Sequence, residues 1–308
     1  MSKIIVGVDQ SEGSNDAIAL ASSLAGITGA QLMLVNVYPY DTRPSRALNA
    51  QFEAYLRQDS RELLERLQTQ YSDLAAEVRS VPDHSPAQAL HELAEQEDAR
   101  LIVVGSTHTG RAGRVLPGST AERLFHGSPC PVAIAPKGFR PSADDRRGIV
   151  GCGFDGSESA RRALDAAQRV AAAQDTRLRV IRAFEPLSFD VLPDKDVPMG
   201  GVAYNDRLRD RAAEELDAAV AKLEGEPRAE AFFAVGDPAK VLVEASEQLD
   251  LLVMGSRGYG PLHAVLVGGV AGRVVRDAAC PVIVLPRKAR HVEKDSLFAE
   301  IASQAPTA

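Results

Sequence analysis

Short apolar runs alternate with longer stretches of helical periodicity along this chain, and the whole alternation occurs twice. Residues 3–9 (KIIVGVD) form an apolar run ending in an acid, the pattern of a parallel strand buried on both faces. Residues 11–29 carry Ala17, Leu20, Ala21, Leu24 and Ala25 at helical spacing, and residues 31–37 read as the next strand. A long charged helix is expected over 47–71, where Phe52, Leu56, Leu63, Leu64 and Leu67 recur three and four residues apart. A third strand follows at 76–81. Ser85, Pro86 and Gln88 then open a helix as cap, first helical residue and capping-box partner. The fourth strand, 101–104, runs into a glycine-rich turn. Ser119 and Glu122 form a second capping-box pattern, opening a helix that ends near Gly127, and 132–135 is a fifth strand fenced by Pro131 and Pro136.

Residues 137–147 are polar and read as a linker, after which the pattern restarts. Residues 148–155 (GIVGCGFD) place Asp155 at the position of Asp9, 146 residues on. A strand at 177–183, a helix at about 206–223, a strand at 228–235 and a helix opened by Asp237-Pro238 follow. Residues 185–202, broken by Pro186, Pro193 and Pro198, read as a long irregular loop. The strand at 251–254 enters a second glycine-rich turn, a helix begins at Gly269, and a last strand follows Cys280-Pro281. The expected fold class is therefore α/β: two tandem doubly wound open parallel five-stranded sheets with helices on both faces. The boundaries are 1–136 for the first domain, 137–147 for the linker, 148–287 for the second domain and 288–308 for a polar tail.

Composition agrees with that division. At about 150 residues per domain, 308 residues make two. With 35 basic and 42 acidic residues the net charge is −7, and Lys and Arg are not clustered, so nucleic acid and membrane surfaces are not expected partners. No apolar run approaches the roughly 20 residues of a spanning helix. The N-terminus enters a strand-like run at once, without the features of a leader, and a cytoplasmic location is expected. Cys130 and Cys280 occupy equivalent repeat positions and neither they nor Cys152 have metal-site spacing. All three read as small buried hydrophobes.

The chemistry of the chain is concentrated in the two glycine-rich turns. One reads LIVVGSTHTGRAGRVLPGS from residue 101, the other VMGSRGYGPLHAVLVGG from residue 253. Gly105 matches Gly255 and Gly118 matches Gly268, both pairs 150 positions apart. A strand that ends in glycines and hands over to a helix N-terminus presents free N–H groups to an anion, for which phosphate is the obvious guest.

Each half resembles the universal stress protein family. The resemblance rests on Gly-x-Asp-x-Ser after the first strand, the Gly-Asp-Pro-Ala-like helix start, G-x-x-G-x(9)-G-[S/T] after the fourth strand, and the Cys-Pro-Val fifth strand. It implies an ATP site, with Mg²⁺, between the first and fourth strands of a half. That is also where open α/β sheets bind ligands, at the switch point of strand order. By this resemblance Asp9 and Asp155 contact the adenosine end, and Val37 offers backbone contacts to the base. Gly105, Gly118, Ser119 and Thr120 in one half, and Gly255, Gly258, Gly268 and Gly269 in the other, wrap ribose and phosphates. Two departures stand out. His108 replaces the second glycine of the first loop, where it either blocks the ribose-triphosphate or binds phosphate pH-dependently. Gly269 stands where Ser or Thr is expected, losing one hydrogen bond worth about 0.5–1.5 kcal/mol.

Plainer readings compete. Asp9 and Asp155 are also suited to closing their own turns, Ser119 to capping a helix, His108 to a surface loop, and Arg111, Arg114 and Arg257 to solvent. The implied function is a nucleotide-responsive stress regulator acting on an unknown protein partner. The alternatives are a nucleotide-independent dimerisation and interaction module or, with neither a loop lysine nor an acidic metal cluster, at most a slow ATPase. Each fifth strand is an open edge. The resemblance implies that these edges pair within one chain as a pseudo-dimer, and it leaves open a homodimer of whole chains.

Overall fold

The computed structural model describes residues 2–39, 47–107, 113–115, 117–141, 148–187, 201–223, 227–256 and 269–286. The first half runs β1 (Lys3–Gly7), α1 (Gly13–Thr28), β2 (Gln31–Tyr38), α2 (Ala47–Gln70), β3 (Glu77–Pro82), α3 (Pro86–Gln96), β4 (Leu101–Gly105), α4 (Ser119–Gly127) and β5 (Val132–Ala135). The second repeats it as β6 (Ile149–Gly153), α5 (Glu158–Ala173), β7 (Arg177–Phe184), α6 (Gly201–Ala221), β8 (Ala229–Val235), α7 (Pro238–Ser246), β9 (Leu251–Gly255), α8 (Val270–Asp277) and β10 (Val282–Leu285).

Helices cover both faces of the strands, which explains why the strand sequences are apolar without alternation. Ile4 and Val6 of β1 pack toward α1 and α2, whereas Ile5 between them packs toward α3 and α4. All three are fully buried. The same two layers continue through the second half, with α5 and α6 on one face and α7 and α8 on the other.

The strands form a single ten-stranded sheet in the order β3-β2-β1-β4-β5-β10-β9-β6-β7-β8. Within each half every pairing is parallel; the halves meet through β5 and β10, which pair antiparallel with Ala133 opposite Ile283. The fifth strands therefore close on each other. Backbone and side-chain hydrogen bonds reinforce the seam. The Val115 N–H donates to the Ala278 carbonyl at 2.8 Å. Arg114 donates to the Asp277 carbonyl at 2.9 Å, at the C-terminal end of α8, and also pairs with Glu247. A cation at that end of a helix is favourable. Arg114 is thus a seam residue and not a solvated one; Arg111 and Arg257 lie outside the described residues.

Several local expectations are refined. Ser85 caps α3 by accepting from the Gln88 N–H at 3.3 Å, but the Gln88 side chain turns to Glu92 and does not complete a box. Gly118, not Ser119, is the N-cap of α4, and Glu122 pairs instead with Arg276 across the seam at 3.2 Å. The first part of the linker is docked: buried Asp16 on α1 accepts from the Gly138 N–H at 2.9 Å and from Arg140 at 2.7 Å. Residues 142–147, most of the 185–202 loop and the tail from 287 lie outside the described residues, and α6 starts at Gly201, earlier than its periodicity implied.

Candidate functional site

Strand order reverses between β1 and β4 and again between β6 and β9, so each half has a crevice at the carboxyl ends of those strands. In the second half the crevice is a shallow, half-open depression lined, among the described residues, by Gly153, Phe154, Asp155, Ala160, Ile181, Ala183, Pro238, Leu242, Met254, Gly255 and Val270. Its construction follows from the elements. Alternate residues of β7, Ile181 and Ala183, face one way, while Pro238 and Leu242 lie one turn apart on α7. β7 runs three residues beyond its last pair with β6, Ile181 with Gly153, and this extension carries Ala183 to the crevice.

Among the described residues of the lining, Asp155 is the only charged one. Its Oδ1 accepts from the Ser157 N–H at 2.9 Å, closing the turn from β6 into α5. Its Oδ2 makes no hydrogen bond among the described residues. Asp9 makes the same turn in the first half, accepting from the Ser11 N–H at 2.8 Å. There, however, the Ser14 hydroxyl donates both to Asp9 Oδ1 at 3.1 Å and to the Asp9 carbonyl at 2.8 Å, and accepts from the Asp9 N–H at 2.7 Å. Ala160 occupies the position of Ser14 in the second half, so Asp155 lacks the additional bonds that Ser14 makes to Asp9 Oδ1 and to its backbone. Both acids close their turns through Oδ1, and Oδ2 of each makes no hydrogen bond among the described residues.

The glycines divide into two kinds. A Cβ on Gly105 would lie 2.1 Å from the Gly13 carbonyl oxygen, and one on Gly255 would lie 2.8 Å from Ser159 Oγ. These residues are glycine because the start of α1 or α5 packs against the end of β4 or β9. Gly269, the N-cap of α8, is different: φ −65° and ψ 171° suit any residue, and a Cβ there meets nothing within 4 Å. Gly118 caps α4 in a similar extended conformation, φ −81° and ψ 172°. Ser119 is the exposed first residue of α4 and Thr120 the half-buried second. Val37, half-buried on β2 opposite Val81, is the counterpart of Ala183, so the first crevice carries the larger side chain. His108, Gly258 and Gly268 lie outside the described residues.

Charges gather around the second crevice without entering it. Asp237 caps α7 through the Lys240 N–H at 3.0 Å and accepts from Arg273 of α8 at 2.7 Å. The Arg273 hydrogen bond, then that of Lys240, holds the Asp237 carboxyl below its ordinary value. Behind the Asp155 turn, buried Arg182 pairs with Glu215 at 3.0 Å while its Nε and one terminal nitrogen have no hydrogen-bond partner among the described residues. Burial works to raise the Glu215 carboxyl, and Arg211 and Arg182 together bring it below normal. The three cysteines are free thiols and buried; burial pushes Cys130 up to about 12, and Cys152 upward as well. Among the described residues no three His, Cys, Asp or Glu side chains gather to hold a metal, and no helix is long and apolar enough to cross a membrane.

Of the residues that the motifs named, the structure brings Asp155 and Gly255 into one crevice, with Gly269 directly before its wall residue Val270. The apolar walls, Ile181, Ala183, Leu242 and Met254, belong to no motif. Their only sequence signal is their place on the buried faces of β7, α7 and β9.

The model of the universal stress protein family matches residues 1–136 and again 147–286. A Thermus aquaticus universal stress protein is 35% identical over 136 residues, 43% of this chain and 93% of its own length. A Mycolicibacterium smegmatis universal stress protein is 27% identical over 297 residues, covering 92% of this chain and 96% of the relative. The crystal structure of an Archaeoglobus fulgidus universal stress protein matches with a TM-score of 0.63 at 19% identity, over 92% of this chain and 98% of that one. That likeness concerns the fold.

Proposed function

This chain belongs to the universal stress protein family in a tandem form, and from that premise we propose that it is a nucleotide-responsive regulator whose second crevice binds ATP with Mg²⁺. The observation that carries the reading is the make-up of the crevice: apolar walls, the Asp155 carboxylate and a helix N-terminus at its rim. Ile181, Ala183, Leu242 and Met254 suit the flat faces of a purine. Asp155 Oδ2 is an acceptor for ribose hydroxyls. The first-turn N–H groups of α8 have no intrahelical acceptors and suit phosphate. ATP supplies a polyanion that carries its own Mg²⁺, which fits a site where the described residues assemble no metal cluster.

The first crevice is the weaker candidate, since Val37 stands where the second half has Ala183. The action is binding and release. Ligand changes the order of the rim and hence the surface offered to a protein partner.

Calorimetric titration of the full chain with ATP and Mg²⁺, beside Gly269→Asp, tests the reading. Asp is a favoured N-cap, so α8 is retained while a carboxylate faces the phosphates. ATP affinity should fall at least about tenfold in the variant and adenosine affinity should hardly change. No ATP binding by the wild type, after removal of co-purified nucleotide, would leave the nucleotide-independent interaction module as the better account.

A further inference from the structure

The two outer edges of the ten-stranded sheet, β3 and β8, occupy equivalent places in the repeat and are built in opposite ways. Unpaired edges invite further strands, and proteins guard them with charge and proline. β3 is guarded. Its Glu77 and Arg79 join Lys3 and Glu97 in an ion-pair network, and Pro82 ends the strand without an N–H.

β8 is longer and, among the described residues, has no strand on its outer side. It reads AEAFFAV, with Phe232 41% and Val235 57% exposed. Registers against β2 and β7 put Phe232 where the first half has Arg79, Phe233 where it has Ser80, and Val235 where it has Pro82. The one charge on β8, Glu230, already accepts from Arg179 of β7, whose guanidinium also lies 5.9 Å from the Phe232 ring centre. Leu187 and Tyr204, also exposed, belong to the same half.

From these observations we propose that β8 is a homodimerisation edge, pairing antiparallel with β8 of a second copy of this chain about a two-fold axis at Phe232. Backbone parity permits this register. The Leu178 N–H donates to Arg228 and the Gly236 N–H to Phe184, so residues 230, 232 and 234 turn their backbone groups toward β7. Ala229, Ala231, Phe233 and Val235 turn theirs outward. Centred on Phe232, 229 faces 235 and 231 faces 233 of the other copy, so outward groups meet outward groups along the full strand. Phe232 meets its own copy at a non-hydrogen-bonded position, where side chains approach most closely. Glu230 falls opposite Ala234, so no like charges are opposed.

The second copy is favoured over a head-to-tail array because β3 offers β8 a proline and an ion-pair network, whereas β8 offers itself a charge-matched apolar strand. The chain already uses such a junction, since β5 and β10 pair antiparallel at its centre. An isologous contact of this kind closes at two copies. A single-strand contact lies at the small end of specific interfaces, below about 1,200 Å², so association in the micromolar range is expected.

Sedimentation velocity on the full chain between about 1 and 100 µM, with and without ATP and Mg²⁺, should show a monomer–dimer equilibrium that stops at the dimer. Phe232→Lys and Phe232→Glu, on the solvent face of an edge strand, should each weaken it at least about tenfold with unchanged circular dichroism, and their mixture should restore a dimer. A wild type that is monomeric throughout would overturn the proposal. So would a dimer that survives both substitutions, a mixture that fails to associate, or open-ended polymers.

Discussion

At the scale of single residues, the described glycines of the motif have unequal tolerance for a side chain. The carboxyl ends of β4 and β9 are so close to the following helix starts that a methyl group at Gly105 or Gly255 overlaps atoms already in place. At Gly105 the obstacle is backbone, the Gly13 carbonyl, which moves only with the turn after β1. Overpacking of that kind costs about 3 kcal/mol, so Gly105→Ala should lower unfolding stability by that amount in urea titration. Gly255→Ala should cost less, because its overlap is milder, 2.8 Å to Ser159 Oγ against 2.1 Å at Gly105, although Ser159 Cβ and its backbone carbon at 2.9 and 3.0 Å still require α5 to shift. Gly269→Ser should be neutral or stabilising by a few tenths of a kcal/mol, since the N-cap is already extended and a Cβ meets open space. A Gly105→Ala protein as stable as the wild type would show that the helix start can retreat. These glycines therefore make poor probes of ligand binding, and Gly269 a good one.

Among elements, α7 joins stability to pH. Asp237 is its cap and also the partner of Arg273 on α8, so one carboxylate fixes a helix start and ties two helices beside the crevice. Because Arg273 and then Lys240 lower its folded-state value, its contribution is present in full above the unfolded value of about 3.9 and is lost as pH falls through the lower folded one. Asp237→Asn keeps a good cap but removes the charge. The stability difference between the two proteins, about 0.5–1 kcal/mol for a partly exposed pair, should be constant from pH 7 to about 5 and shrink below about 4. A difference that persists at pH 2.5 would assign the effect to cap geometry and not to ionisation. The cap itself was legible in the sequence because Asp237, Pro238 and Lys240 lie within one turn. Glu122 was not, for its partner Arg276 is 154 residues away and no local pattern encodes the seam. The crevice shows the same limit. Asp155 and Gly255 stand in motifs, whereas Ile181, Ala183 and Leu242 are apolar residues among many, made functional only by where β7 outruns β6. The halves also differ in Val37 against Ala183 and in Ser14 against Ala160, the latter a single hydroxyl that ties the Asp9 turn to the start of α1.

For the whole molecule, the continuity of the sheet has a thermodynamic consequence. The repeat lays out two five-stranded halves, and their fifth strands β5 and β10 share a ladder, as the resemblance implied; Arg114 of one half ends a helix of the other, and Glu122 and Arg276 pair across the junction. Ala133 and Ile283 are fully buried at that seam, so unfolding one half exposes apolar surface on the other. Such coupling favours one cooperative transition over two. The cysteines report on it from both sides: Cys130 precedes β5, Cys280 precedes β10, and Cys152 lies in β6, all buried. Burial pushes the Cys130 thiol to about 12 and Cys152 upward, so at neutral pH both react only when the chain opens. Thiol labelling followed residue by residue in increasing urea should give the same opening free energy for all three, within about 1 kcal/mol, as expected of one foldon. If Cys130 became reactive at clearly lower urea than Cys152, the first half would be opening alone, and the seam would be a contact between independent units. Equal values would mean that the two halves stabilise each other through β5 and β10, so that strain at one crevice is felt across the sheet.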